Sequence, residues 1–309
     1  MKPYGVMFHH FQDGDRHPKG QGAISAAELS QMIEFLGKDR ILPAKEWLKR
    51  AIRGNLQKDH ICLTFDDALR CQFDIAVPVL EHYGITAFWF VYSSVFEGGV
   101  EPLEVYRYFR TTQFKDVEDF YSQFETALYD SSYAEEIKSG LEGFVPSRYL
   151  TGFDFYSDGD RWFRFIRDRI LGPVRYGKIM DQMLSDSAIN VENLPGLLWM
   201  DDQCLQYLDS KDHVVGLHSY SHPTLIEKFS RDEQLKEYVL NKTHLTETLK
   251  KDPLCMSHPC NSYDTTTLEV LRECGIKMGF RANMKEAGKS EFEYPREDHT
   301  NILKATVSQ

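Results

Sequence analysis

Residues 61–91, with the sequence ICLTFDDALRCQFDIAVPVLEHYGITAFWFV, decide the fold. The apolar run at 61–65 follows polar residues and predicts a buried strand, and the run at 85–91 predicts a second one. The stretch between them has helical character and closes at Gly84. Two strands that flank a crossover helix form a βαβ unit, so this stretch predicts a parallel arrangement of strands.

The alternation of strands and helices continues on both sides of this unit. Ser25 with Glu28, and Ser230 with Glu233, form capping boxes at the starts of two helices. The other predicted strands lie at 4–8, 214–217, 254–257 and 276–282, and the predicted helices in the second half of the chain lie at 200–208, 230–250 and 265–274. This pattern predicts an α/β fold with a parallel sheet or barrel.

Residues 98–195 have a different texture. Long aromatic-rich and charge-rich stretches, such as 116–129 and 160–170, predict helices. We therefore predict a mainly helical insertion at 98–195 in a domain that is formed by 1–97 and 196–309. A lid, a dimer interface and a docking surface are open alternatives for its role.

Composition limits the classes of partner. The formal charge of −11, from 47 acidic and 36 basic side chains, argues against nucleic acid and anionic membranes. No apolar run reaches the roughly 20 residues of a membrane span, and the first residues do not read as a signal peptide. The six cysteines form no C-x-x-C pair, which suits reduced thiols in the core. We predict a cytoplasmic protein, and a homo-oligomer is left open.

Two groups of polar residues follow predicted strands directly. Asp66 and Asp67 end the first strand of the βαβ unit, where two carboxylates repel each other unless a cation compensates. Such pairs also occur as plain turn formers. His218 and His222 follow another strand, and imidazoles at this spacing on a turn can bind one metal ion together with an aspartate from a neighbouring strand. Together the groups predict a metal site at the carboxyl ends of the strands.

The two motifs carry a resemblance to a known family. TFDD at 64–67, followed by HSYSHP at 218–223, is similar to the polysaccharide deacetylase family, which includes chitooligosaccharide and peptidoglycan deacetylases. The segment 73–91 also looks like that family's helix and second strand. The resemblance covers roughly residues 1–97 and 196–303. It implies a distorted (β/α) barrel of about seven strands, with the helical insertion outside it.

The resemblance implies a hydrolase that acts on carbon–nitrogen (amide) bonds. It makes Asp66 the general base, and it makes Asp67, His218 and His222 the ligands of a divalent metal, most often Zn²⁺. The chemistry is consistent, because a metal polarises the amide carbonyl and acidifies water while a carboxylate accepts the proton.

One loop departs from the commonest family pattern. Ser257 stands where the family has an arginine. Some relatives supply an arginine later in the chain, and Arg296 in the segment YPRED looks like that arrangement, so the resemblance predicts Arg296 as the partner of Asp66. Cys260 lies in the same loop as Ser257. The resemblance predicts that the backbone N–H of Cys260 stabilises the oxyanion.

Several further residues are candidates for the site. The family takes its general acid from a histidine near the last strand, which predicts His299, with His258 as its rival. His9 and His10 follow the first strand, and His10 is a candidate for a hydrogen bond at the base of the site, although a polar strand end is an equal alternative. Tyr220 lies between the two metal-binding histidines and is predicted to touch substrate.

The predicted reaction is removal of an N-acyl group from an amino sugar during biosynthesis of a surface polysaccharide. Acetyl is the leading candidate for this group. With a cytoplasmic location, a nucleotide- or lipid-linked precursor fits better than a mature polymer. Two alternatives stay open, a hydrolase of another C–N bond such as a cyclic imide or ureide, and a non-catalytic carbohydrate-binding relative.

Overall fold

The computed structural model describes residues 2–151, 156–286, 288 and 290–307. The chain divides into two compact units, one formed by Met1–Glu101 with Asn193–Gln309 and the other by Pro102–Glu192. The sequence predicts the helical insertion at 98–195.

Strands and helices alternate in the larger unit. The strands are β1 (Tyr4–Phe8), β2 (Ile61–Asp66), β3 (Phe88–Val91), β4 (Val214–Leu217), β5 (Cys255–Ser257), β6 (Met278–Phe280) and β7 (Arg296–Asp298). The α-helices of the chain are α1 (Ala26–Leu36), α2 (Ala44–Ile52), α3 (Val77–Tyr83), α4 (Pro102–Thr112), α5 (Val117–Tyr129), α6 (Ala134–Gly140), α7 (Asp158–Phe165), α8 (Gly172–Ser185), α9 (Pro195–Leu198), α10 (Asp202–Ser210), α11 (Arg231–Leu249), α12 (Thr265–Glu273) and α13 (His299–Val307). Of these, α4 to α8 belong to the smaller unit.

The strands form one parallel, seven-stranded sheet in the order β6-β5-β4-β3-β2-β1-β7. A further parallel bridge joins Phe280 at the end of β6 to Tyr294, which leads into β7. The N–H of Arg281 donates to the carbonyl of Tyr294 at 3.0 Å. This bridge nearly closes the sheet, so the predicted distorted (β/α) barrel of about seven strands is confirmed.

The strand predictions differ from the structure mainly at their ends. Strands β1 and β4 have the predicted bounds, whereas the strands predicted at 85–91 and 276–282 are shorter. Strand β7 was missed, because its sequence Arg-Glu-Asp contains no apolar run. It forms through its pairing with β1, where Gly5 lies opposite Arg296.

The strands that precede the candidate site pack closely. Both β2 and β3 are buried along their whole length, as expected for strands that are covered on both faces. In β4, a Cβ atom on Gly216 would come within 2.7 Å of the carbonyl oxygen of Cys255. Glycine therefore lets β4 approach β5 closely, two residues before His218.

Both predicted capping boxes are present. The Ser25 hydroxyl accepts from the N–H of Glu28 at the start of α1, and the Ser230 hydroxyl accepts from the N–H of Glu233 at the start of α11. These contacts satisfy N–H groups that would otherwise lack a partner in the first helical turn. Helix α11 thus begins at a position that the sequence encodes locally.

The smaller unit has an aromatic core. Phe120 of α5 is fully buried, and its ring lies 5.4 Å from that of Phe163 in α7. Phe124 is equally buried and lies 5.1 Å from Phe163. The aromatic residues of this segment therefore serve packing. Among the described residues of the whole chain, no helix combines the length and the apolar character that a membrane crossing requires.

Candidate active site

Residues from several strands meet at one end of the barrel. Asp66 is the last residue of β2, Ser257 is the last residue of β5, and His218 directly follows β4. Since all strands run parallel, these residues share the carboxyl end of the sheet. Active sites of (β/α) barrels lie at this end.

Asp67, His218 and His222 converge on one point. The Oδ1 atom of Asp67 lies 3.3 Å from Nε2 of His218 and 3.3 Å from Nε2 of His222. One ligand atom from each of the three lies within 4.8 Å of the others. Apart from these imidazoles, the buried Oδ1 of Asp67 has no partner in the described part of the chain. One carboxylate oxygen and two imidazole nitrogens are a donor set that fits a divalent metal with open positions for water and substrate.

Hydrogen bonds and burial prepare the two histidines as ligands. The Nδ1 atom of His218 lies 2.8 Å from the carbonyl oxygen of Ser257, which can only accept, so Nδ1 carries a hydrogen. This leaves Nε2, which faces Asp67, as the nitrogen that can bind a metal. Burial lowers the pKa of His222 to about 4. This imidazole is therefore neutral at neutral pH, the form that binds metal.

Three residues at the candidate metal site, Asp67, Ser219 and His222, have positive φ angles. The φ angle is 78° at Asp67, 65° at Ser219 and 55° at His222. Such conformations cost about 1–3 kcal/mol for a residue with a side chain and persist only where surrounding contacts impose them. The turns that carry the ligands are thus held by contacts from outside.

Asp66 and Arg296 form a buried, bidentate ion pair. The Nη1 and Nη2 atoms of Arg296 donate to the two oxygens of Asp66, each at 2.7 Å. Arg296 is 1% exposed and Asp66 is 2% exposed. Burial alone would raise the pKa of Asp66, but the Arg296 guanidinium and His218 outweigh it and lower this pKa. The predicted pairing is present, while the role of Asp66 as the base stays a prediction.

Ser257 explains how an arginine from another strand can reach Asp66. Its hydroxyl accepts from Nη2 of Arg296 at 2.7 Å and lies 3.3 Å from Oδ2 of Asp66. A serine is small enough to leave space for the guanidinium that arrives from β7. The departure from the family pattern at Ser257 and the arrangement of Arg296 are therefore parts of one site.

The two residues predicted to contact the substrate lie on loops at this end. Cys260 has exposed surface and adopts a left-handed conformation with φ 50° and ψ 19°. Tyr220 is partly exposed, and its hydroxyl donates to Oε2 of Glu97 at 2.7 Å. The oxyanion and substrate roles of Cys260 and Tyr220 stay predictions.

His299 is not placed as a general acid would be. Its Nε2 atom lies 2.9 Å from the carbonyl oxygen of Gly22, and its Nδ1 atom lies 3.2 Å from that of Met7. The ring is buried and stacks on Phe8 with 5.6 Å between ring centres. No contact with the metal-binding cluster is found among the described residues. The assignment of His299 is therefore corrected, because both ring nitrogens face backbone carbonyls in the protein interior.

The rival candidate, His258, is equally enclosed. It is fully buried, its Nε2 atom lies 3.0 Å from the carbonyl oxygen of Phe292, and its ring stacks on Tyr263 at 4.1 Å. Burial lowers its pKa to about 3, so at neutral pH it is the neutral imidazole and not the imidazolium form of a general acid. Both predicted acids are therefore buried, with ring nitrogens that face backbone carbonyls.

His9, which the sequence analysis names beside His10 without giving it a role, lies close to Asp66. Its Nε2 atom lies 3.9 Å from Oδ2 of Asp66, and 30% of its side chain is exposed. The side-chain amide of Gln72 donates to the carbonyl of His9 at 2.7 Å and to that of Asp66 at 2.6 Å, which ties the ends of β1 and β2 together. The available signal was position, because His9 directly follows an apolar strand, as Asp66 and His218 do.

Comparisons with known proteins agree with this arrangement. Residues 188–279 match the family model of polysaccharide deacetylase, a segment that includes His218 and His222. No curated protein sequence matches this chain. The predicted resemblance is confirmed, and the family match supports the predicted class of enzyme, a hydrolase of amide bonds.

Several solved structures share the fold of this chain, and two of the three described here are named as deacetylases. The deacetylase PplD of Streptococcus pyogenes, in complex with acetate, is 15% identical with a TM-score of 0.56 over 96% of this chain and 92% of that one. IcaB from Ammonifex degensii is 15% identical with a TM-score of 0.57 over 99% and 96%. A de-N-acetylase from Aggregatibacter actinomycetemcomitans is 11% identical with a TM-score of 0.57 over 98% and 99%. At these identities the likeness concerns the fold.

Proposed function

We propose that this chain, an amide hydrolase of the polysaccharide deacetylase type, depends on a divalent metal and removes the acetyl group from an N-acetylated amino sugar. The observation that carries this proposal is the buried oxygen of Asp67 between the imidazoles of His218 and His222, at 3.3 Å from each. Among the described residues, this carboxylate oxygen has no other partner. Together with the two imidazole nitrogens it forms a site for a cation.

The protein residues divide the remaining tasks. A divalent cation, in the first place Zn²⁺, supplies Lewis-acid polarisation of an amide carbonyl and acidifies water. Asp66 lies beside the cluster, with Oδ2 3.9 Å from Nε2 of His218. Because Arg296 keeps Asp66 ionised, its carboxylate can accept the proton of an attacking water. Arg296 also fixes both oxygens of Asp66, so the base keeps one orientation.

His9 is our candidate for the group that protonates the leaving amine. Its Nε2 atom lies 3.9 Å from Oδ2 of Asp66, and its side chain is more exposed than that of His218 or His222. A general acid must reach both the base region and the substrate. Of the histidines considered, His9 meets this requirement, whereas His258 and His299 do not.

We expect His9→Ala to lower kcat by about 100-fold, the lower end of what general acids contribute, because water can replace part of the proton transfer. Metal content should stay unchanged. The matched control is His82→Ala, which removes an exposed imidazole from α3. The measurement is acetate release at saturating substrate, with metal content determined on the same samples. An unchanged kcat, or a loss of metal, would rule out His9 as the acid.

The choice of an N-acetylated substrate is supported by the fragment that its hydrolysis releases. Acetate is the fragment that an N-acetyl hydrolase releases, and the similar deacetylase of Streptococcus pyogenes was solved in complex with acetate. A role in biosynthesis of a surface polysaccharide, with a nucleotide- or lipid-linked precursor as substrate, remains a prediction that depends on the predicted cytoplasmic location.

The experiment is metal analysis of the purified protein, followed by acetate release from N-acetylated oligosaccharides and N-acetylated nucleotide sugars. We expect one divalent metal per chain, loss of acetate release with a chelator, and recovery with Zn²⁺. Ring opening of a cyclic imide without acetate release would favour the other C–N hydrolase. Retained sugar affinity with no hydrolysis by the metal-loaded protein would favour the binding relative, and absence of metal binding would overturn the proposal.

A further inference from the structure

The turn of residues 219–222 directly follows His218 and ends at His222. Its own contacts are not sufficient to hold its conformation. Ser219 and His222 both have positive φ, at 65° and 55°. Within the turn, the N–H of His222 donates to Oγ of Ser219 at 3.1 Å. One such hydrogen bond does not balance the conformational cost of two residues with positive φ. Contacts from outside must hold this turn.

Glu237 of α11 supplies three of these contacts. Its Oε2 atom accepts from the backbone N–H of Tyr220 at 3.0 Å and from that of Ser221 at 2.8 Å. Its Oε1 atom accepts from the hydroxyl of Ser221 at 2.8 Å. Hydrogen bonds to a carboxylate are stronger than those between neutral groups. Glu237 therefore ties down both residues at the centre of the turn.

Asn241 holds the start of the same turn. Its Oδ1 atom accepts from the backbone N–H of His218 at 3.0 Å. Its Nδ2 atom donates to the carbonyl of Val91 at 2.9 Å and to the hydroxyl of Ser93 at 2.6 Å. Asn241 is fully buried. Residues four positions apart lie on one face of a helix, so Glu237 and Asn241 present a single face of α11 to the turn.

We propose that this face of α11 positions the metal ligands. Glu237 is the positioning residue that keeps the turn of residues 219–222 in the conformation with positive φ at Ser219 and His222. The inference rests on the proposed function, since it concerns the same metal site. Without the carboxylate, the turn can relax, and the imidazole of His222 loses its alignment with Asp67. His218 is less affected because Asn241 and strand β4 hold its backbone.

The test compares Glu237→Ala and Glu237→Gln with Glu247→Gln, which removes the same charge from an exposed position of the same helix. Affinity for Zn²⁺ is measured on the metal-free protein by competition with a chromogenic chelator, and thermal unfolding of the same samples reports folding. We expect Glu237→Ala to bind Zn²⁺ about 10- to 100-fold more weakly than wild type. Glu237→Gln should lose less, because its side-chain oxygen still accepts hydrogen bonds, and Glu247→Gln should match wild type.

Each result separates this inference from the proposed function. Wild-type affinity in a folded Glu237→Ala variant would overturn the inference while the metal site stands. Equal losses in Glu237→Ala and Glu237→Gln would also overturn it, because charge and not hydrogen bonding would then govern the affinity. A wild-type protein that binds no Zn²⁺ would overturn the proposed function itself.

Discussion

Replacing Arg296 with alanine is expected to lower the free energy of unfolding by about 3–5 kcal/mol. The change leaves the carboxylate of Asp66 buried with neither of the guanidinium hydrogen bonds that it now receives at 2.7 Å. It also removes hydrogen bonds to Ser257 and to the carbonyl of Arg281. The measurement is urea-induced unfolding at neutral pH, followed by circular dichroism.

Two variants bracket this result. Arg296→Lys keeps a positive charge but cannot reproduce the bidentate geometry, so it should fall between wild type and alanine. Arg272→Ala breaks an exposed pair with Glu291 and should cost less than about 1 kcal/mol. A loss for Arg296→Ala as small as that for Arg272→Ala would show that Arg296 does not stabilise Asp66 in the way that its contacts indicate.

Asp66→Asn is expected to lower kcat by about 10³–10⁴-fold, because the amide has the shape of the carboxylate but cannot accept the proton of water. The metal ligands Asp67, His218 and His222 remain, so metal content at saturating Zn²⁺ should stay at the wild-type level. His222→Ala should instead lose the metal together with the activity. Metal content and acetate release are measured on the same samples.

Stability must be followed in this experiment, because Asp66→Asn leaves the guanidinium of Arg296 buried beside a neutral amide. Assays are therefore run well below the unfolding temperature of each variant, with His82→Ala as the control for a change at an exposed position. Activity of Asp66→Asn within tenfold of wild type would exclude Asp66 as the base. Loss of metal from this variant would mean that the assigned division of roles is wrong.

The predicted parts of the site share one property, which is that local sequence is enough to place them. Asp66 and His218 each follow a short apolar run, and parallel strands bring such residues to one edge of the sheet without further information. The spacing of His218 and His222 then restricts both imidazoles to one turn. For the same reason the capping boxes at Ser25 and Ser230 were found, since their contacts span three residues.

Position in the sequence did not predict side-chain direction where the deciding contacts come from distant parts of the chain. His299 follows the last strand, as an active-site residue would, but it begins α13 and its ring points to the carbonyls of Gly22 and Met7. His258 lies in the predicted active-site loop, yet it stacks on Tyr263 away from solvent. In both cases the direction of a side chain decides the outcome, and that direction depends on packing between segments far apart in the chain.

The sequence by itself determined the α/β class, the order of most strands and helices, and the residues of the candidate metal site, because each follows from a local pattern of apolar and polar residues. Only the tertiary structure decided that β7 pairs with β1, that His9 lies beside Asp66, and that Glu237 holds the turn of residues 219–222. On the sequence, Glu237 is one acidic residue among several on a long helix. Its role arises from contacts with residues 16 and 17 positions away, and such contacts leave no local pattern.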